Sequence, residues 1–125
     1  MKNFYFLTLT ILFQLSIFGN DVQAQAPTVP SSNLTISNVD GNRFYVSFTR
    51  GDGAKRIIVA SSQPVTAIPQ NGTDYMASNF GEGNEIASGQ FVVYEGTGSG
   101  TWLYGFNHST TYYLRIYEFN GTDFS

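Results

Sequence analysis

Cysteine is absent from the 125 residues. That excludes disulfide staples, thiol nucleophiles and thiolate metal sites, and leaves stability to the core alone. Histidine occurs once, at His108, so any base-and-nucleophile arrangement has a single imidazole to draw on. Basic side chains are few, six Lys and Arg against nine Asp and Glu, and they form no cluster. This balance argues against nucleic acid or an anionic membrane surface as the partner. Helical spacing is missing as well: from Leu34 onward no stretch repeats apolar residues at the 3.6-residue period.

What the chain does have begins with "MKNFYFLTLTILFQLSIFGNDVQAQAP". Lys2 is a short positive start, Phe4 to Phe18 is an apolar run, and Val22 and Ala24 are small residues at cleavage spacing. This is the arrangement of a secretory signal peptide, predicted over 1–24 with cleavage after Ala24. The apolar run is shorter than the ~20 residues a spanning helix needs, so no membrane insertion is expected after cleavage. The mature chain keeps five basic and eight acidic side chains, a net charge still of −3, and is long enough for one domain.

Residues 25–33, with Pro27, Pro30 and "SSN", form a lead-in linker. Period-two alternation follows over 34–125. "NLTISNVDG" offers Leu34 and Ile36 on one face and ends in an Asp40-Gly41 turn signal. "NRFYVSFTRG" points Phe44, Val46 and Phe48 inward. "GDGAKRIIVASS" carries Ile57, Ile58, Val59 and Ala60 in a row, apolar on both faces as in a central strand. After residues 62–89, rich in Pro, Gly, Asn and Ser, come "QFVVYEG", "GTWLYGF" and "TTYYLRIYEF". Six strands without helices predict an antiparallel β-sandwich.

"GFNHSTTYYLRIYEFNG" is the most specific local signal. Phe106 and Tyr112 stand six apart around a polar turn, with Leu114 and Ile116 alternating inward after it. The stretch resembles the E–F corner of fibronectin type III domains, in which a tyrosine hydroxyl bonds back to the backbone. "GDGAKRIIVA", "VTAIPQNGTDY" and "FGEGNEIASGQFVVYEGTGSGTWLYGF" are similar to the same modules in large exported multidomain proteins of Gram-negative bacteria. The resemblance covers roughly residues 28 to 124. It implies an immunoglobulin-like sandwich, a structural tyrosine corner of Tyr112 and Phe106, and a seventh strand G beside the sixth. Phe48 stands where the family has a core tryptophan. Asn120-Gly121 is the favoured pair of a two-residue type I′ hairpin, yet only Thr122 to Ser125 follow it. The expectation is therefore a fragment whose closing strand lies beyond Ser125.

Chemistry is thinly represented. His108 lies in a polar turn, and Ser109 beside it is badly placed for a triad. Glu82, Glu85 and Asp52 sit among glycines and read as solvated loop residues rather than a carboxylate pair or calcium loop. "GTGSG" at 96–100 lacks the Lys-Ser/Thr and helix of a phosphate loop, and reads as a hairpin loop. The sequons at Asn33, Asn71, Asn107 and Asn120 read as turn composition. No cofactor is expected.

Outward-pointing Trp102, Tyr104 and Tyr113 form a candidate binding surface for carbohydrate. The apolar residues of 62–89 offer a competing role, covering an outer face that would otherwise expose a large patch. The expected function is thus a non-catalytic structural and interaction module of a secreted or cell-surface protein, partnered by neighbouring domains or surface proteins. The alternative is a carbohydrate-binding accessory module of a secreted hydrolase. If the Tyr112 hydroxyl is a buried donor, Tyr112→Phe costs roughly 1–3 kcal/mol.

Overall fold

Strict alternation in "RFYVSFT" becomes β2 (Arg43–Thr49), where Phe44, Val46 and Phe48 are buried and the residues between them are partly or fully exposed. The computed structural model describes residues 24–124, so the predicted signal peptide, Ala24 apart, lies outside the described residues. Besides β2 it comprises β1 (Ser32–Asp40), β3 (Lys55–Ser61), β4 (Glu85–Ala87), β5 (Gln90–Gly96), β6 (Gly100–Tyr104), β7 (Tyr113–Asn120) and β8 (Asp123–Phe124), with no helix among the described residues. All pairings are antiparallel, in one sheet of order β1-β2-β6 and another of order β4-β5-β3-β7-β8.

Two apolar clusters hold these layers, and β3 serves both. Between the sheets, Phe44, Val46, Phe48, Ile58, Ala60, Val93, Leu103 and Phe106 are buried together, with Leu114 and Ile116 packed against them. On the far face of the five-stranded sheet, Ile57, Val59, Val92, Tyr117, Phe119 and Phe124 form a second cluster, closed by Val65, Tyr75 and Ile86. The long 62–89 segment is therefore a cover. Tyr117 secures it by donating its hydroxyl to the Ala67 carbonyl, and Gln90 Oε1 accepts from the Thr66 and Ala67 amides at 2.9 and 2.7 Å. Gly83 packs so closely that a Cβ there would fall 2.0 Å from the Val92 carbonyl.

Three features depart from the sequence reading. Eight strands are present rather than six, because β4 forms inside the covering segment and β8 forms at 123–124. Both hairpins turn one residue later than expected. Asp40 pairs with Arg43 and Asn120 with Asp123, so the loops are Gly41-Asn42 and Gly121-Thr122. Positive φ falls on the first loop residue alone, +60° at Gly41 and +58° at Gly121, the pattern of a type II′ turn with glycine leading. Finally, "GTGSG" joins β5 and β6, which lie in different sheets. It carries the chain across the sandwich instead of closing a hairpin. Glycine and small polar residues suit both connections, and the burial of Leu103 beside β2 selects the crossing.

The lead-in is bonded into the domain. The Asp52 carboxylate accepts from the Thr28 and Val29 amides at 3.0 and 2.9 Å, and Asp52 N–H donates back to the Val29 carbonyl at 3.1 Å. Asn120 Nδ2 donates to the Gln25 carbonyl at 2.8 Å. β1 then starts at Ser32, two residues before the expected boundary at 34. It is irregular at both ends of its register, near Asn33 (φ +53°) and Asn38 (φ +49°), and all of it is exposed.

Candidate interaction site

Among the described residues, the buried charges inside the sandwich are an ion pair. Arg56 and Glu118 are register partners on β3 and β7, in phase with inward Ile58 and Ile116, and both are fully buried. Arg56 Nε donates to Glu118 Oε1 at 3.0 Å, Nη1 to the Gly98 carbonyl at 2.8 Å and Nη2 to the Gly53 carbonyl at 3.1 Å. The same carboxylate oxygen accepts from Gly51 N–H at 2.9 Å and from the Ser31 hydroxyl. Burial works to raise the Glu118 carboxyl. The hydrogen bonds from Arg56, Ser31 and Gly51 outweigh that effect and hold it below its ordinary value. The pair thus ties the lead-in, the "GDG" loop and the β5–β6 crossing to the two central strands.

Sequence reasoning passed over this pair, although the signal was present. Continuing the inward phase Leu114, Ile116 one step reaches Glu118, and stepping back from Ala60 and Ile58 reaches Arg56. A carboxylate on a core face requires a cation opposite it.

The residues considered for chemistry are scattered. His108 is exposed in the β6–β7 connection, and its carbonyl accepts from Thr110 Oγ1 at 3.2 Å. Glu85 Oε1 accepts from Gly89 N–H at 2.7 Å, and Glu82 Oε2 from Ser78 Oγ at 3.4 Å, both as local loop bonds. Asp52 is the lead-in clip described above. Hydrogen bonds, that from the Val29 amide foremost, hold its carboxyl below the usual range, which marks a structural acceptor. Among the described residues no group of three or more His, Cys, Asp or Glu side chains comes together.

The three surface aromatics are not brought together either. Trp102 and Tyr104 flank buried Leu103 on the outer face of the three-stranded sheet. There Tyr45 meets Trp102 edge-on at 5.6 Å and the Arg43 guanidinium lies 4.6 Å from the indole centre. Tyr113, 43% exposed, is on the outer face of the other sheet, its neighbour Leu114 packing inward. The 62–89 cover buries Tyr117 and Phe119 but leaves Tyr104 and Tyr113 exposed.

At the β6–β7 connection the Tyr112 ring stands edge-on to Phe106 at 4.8 Å and to Phe80 at 5.0 Å. Its hydroxyl accepts a hydrogen bond from Asn107 N–H at 3.0 Å, in an exposed setting. It acts as an acceptor, not as the buried donor considered from the sequence, so water can replace part of it. Tyr112→Phe is therefore expected to cost about 0.5–1.5 kcal/mol in a chemical melt. A cost above ~3 kcal/mol would show that the hydroxyl does more than hold Asn107.

The four sequon asparagines all serve turns or edges. Asn71 Oδ1 accepts from Phe124 N–H at 2.9 Å, Asn120 Oδ1 accepts from Ala54 N–H at 2.8 Å, Asn33 Nδ2 donates to Thr49 Oγ1 at 3.2 Å, and Asn107 supplies the amide for Tyr112. Compared with models of protein families and with curated proteins, the chain matches none.

Proposed function

We propose that this protein is a non-catalytic structural and interaction module of the fibronectin type III-like kind, carried outside the cytoplasm or on the cell surface. There it spaces or docks neighbouring domains and surface proteins. The observation that carries this reading is the layout of the sandwich. A β1-β2-β6 sheet faces a sheet built around β5-β3-β7-β8, and a tyrosine at the β6–β7 crossing is tied back to the Asn107 backbone. In that reading β8 is the opening of the family's closing strand along β7. The polar residues support it too: Asp52, Glu82, Glu85, Arg56 and Glu118 are each engaged in holding loops or strands.

The test is to produce the chain with its own leader in a Gram-negative host. Protein recovered from outside the cytoplasm is expected to begin at Gln25. Assayed against glycoside, ester and peptide substrates, it is expected to show no more turnover than its Asp52→Asn/Glu82→Gln/Glu85→Gln variant. Retention of an uncleaved chain in the cytoplasm, or turnover that follows one of these carboxylates, would overturn the reading.

Carbohydrate binding is the second reading, favoured by Tyr45, Trp102 and Tyr104 sharing one outer face with Arg43. Glycan binding that disappears with Trp102→Ala would establish it. Indole fluorescence indifferent to every sugar offered would dismiss it.

A further inference from the structure

The lead-in is attached to the domain from Gln25 onward. The Gln25 carbonyl accepts from Asn120 Nδ2 at 2.8 Å, Pro27 is buried, and the Thr28 and Val29 amides occupy the Asp52 carboxylate. Gly51 passes so close to this segment that a Cβ there would fall 1.9 Å from the Val29 carbonyl. Among the described residues, the cut expected after Ala24 thus falls directly before the first residue hydrogen-bonded into the sandwich. Cleavage there makes Gln25 an anchored chain end.

Two features of that end bear on its chemistry. Gln25 is exposed and held by its main-chain carbonyl, with its side-chain amide in no hydrogen bond among the described residues. Asn120, for its part, presents donors. Its Oδ1 is turned away to accept from Ala54 N–H at 2.8 Å, which leaves the NH2 group facing the lead-in. The Asp52 carboxylate is already engaged by Thr28 and Val29. An α-amine freed at Gln25 carries a positive charge at neutral pH. It gains no counter-ion from either group and adds hydrogens beside a donor. The setting suits a neutral end.

We infer that Gln25 is a modification site: once the leader is removed, the chain end closes to a pyroglutamyl lactam. The unprotonated α-amine attacks the Gln25 side-chain carbonyl carbon, Cδ. The bond from the α-nitrogen to Cδ forms, the Cδ–Nε2 bond breaks, and Nε2 leaves as ammonia with one hydrogen from the amine. No oxidant, reductant or other co-reactant enters. The terminal charge is lost, as in other modifications that turn an α-amine into an amide. The main-chain carbonyl of Gln25 is untouched, so its bond to Asn120 survives. Aminopeptidases need a free α-amine, so the lactam keeps whole the segment whose bonds to Asp52 and Glu118 tie down the "GDG" loop. The inference deepens the exported-module reading by adding a processing step, and rests on that reading for the cut after Ala24.

The test reads the N-terminus of the protein exported with its own leader, by intact mass and by stepwise degradation from the amine. The mass is expected to fall short of the unmodified chain starting at Gln25 by one ammonia. Degradation should be blocked until an enzyme that removes terminal pyroglutamate uncovers Ala26. Gln25→Asn is the control, because its side chain is one methylene shorter and the corresponding ring is too small to form readily. This variant is expected to melt with the parent and to keep a free amine. It should lose its first residue to a broad aminopeptidase at least ~tenfold faster than the parent. A chain that begins at Gln25 with a free amine would overturn the proposal and leave the export reading standing. A chain that begins at any other residue would overturn the cleavage reading and this inference with it. Equal trimming of parent and variant would overturn the protective role.

Discussion

Glu118→Gln is expected to lower stability by about 3–5 kcal/mol, because it leaves the Arg56 guanidinium charged and buried without its counter-ion. For a domain of this size that corresponds to a fall in midpoint on the order of 20 °C. Arg56 reaches no water in compensation, being 1% exposed. Arg56→Met should also be costly, since it strands the carboxylate. The double replacement Arg56→Met/Glu118→Leu should cost less than the two singles together by at least ~1 kcal/mol, the coupling expected of contacting charges. It should not restore the parent, because Gly51 N–H and the Gly53 and Gly98 carbonyls lose their partners. A thermal-melt cycle over the four proteins checks this. A single-variant cost below ~1 kcal/mol would mean that the interior accommodates a lone charge more easily than the geometry implies.

The pair also sets the direction of the acid response. The Glu118 carboxyl lies below its ordinary 4.5 in the folded protein, so the unfolded chain takes up the proton more readily. Its contribution is fully present above that ordinary value. It is lost as pH falls from there through the lower folded value. In Glu118→Gln this part of the acid sensitivity should vanish.

Ile57→Ala is expected to cost about 2–5 kcal/mol, the range for a fully buried branched side chain, and about as much as Ile58→Ala. The two residues are adjacent on β3 and both are fully buried, but Ile58 lies between the sheets and Ile57 beneath the 62–89 cover. Were the cover a loose loop, Ile57 would face water and its truncation would cost under ~1 kcal/mol. Urea melts of the two variants separate these cases. A change in denaturant slope confined to Ile57→Ala would point to detachment of the cover rather than a simple cavity.

Phe44, Val46 and Phe48 were legible as a buried row because each alternates with a more exposed neighbour, and the four apolar residues from Ile57 onward marked a strand covered on both faces. That 62–89 covers an outer face was legible from its scattered apolar residues, but which sheet it covers, and with which of them, was not. Val65, Tyr75 and Ile86 follow no period, since a segment draped over a sheet meets it at irregular intervals. The hairpins were legible in place but not in register. Asp-Gly and Asn-Gly advertise a turn, yet whether glycine is its second or its first central residue depends on which flanking residues pair. The candidate aromatic surface suffered from the same limit. Alternation shows that Trp102, Tyr104 and Tyr113 point outward, but not that β6 and β7 belong to different sheets.

By itself, then, the chain determined six of the eight strands described, the inward phase of β2 and β7 and the absence of helix in what is described, because these follow from contacts between residues one or two positions apart. Sheet membership, the placing of the cover over Ile57 and Val59 and the joining of Arg56 to Glu118 were decided only in three dimensions. Each depends on residues tens of positions apart meeting, and chain proximity carries no record of which distant surfaces will exclude water together.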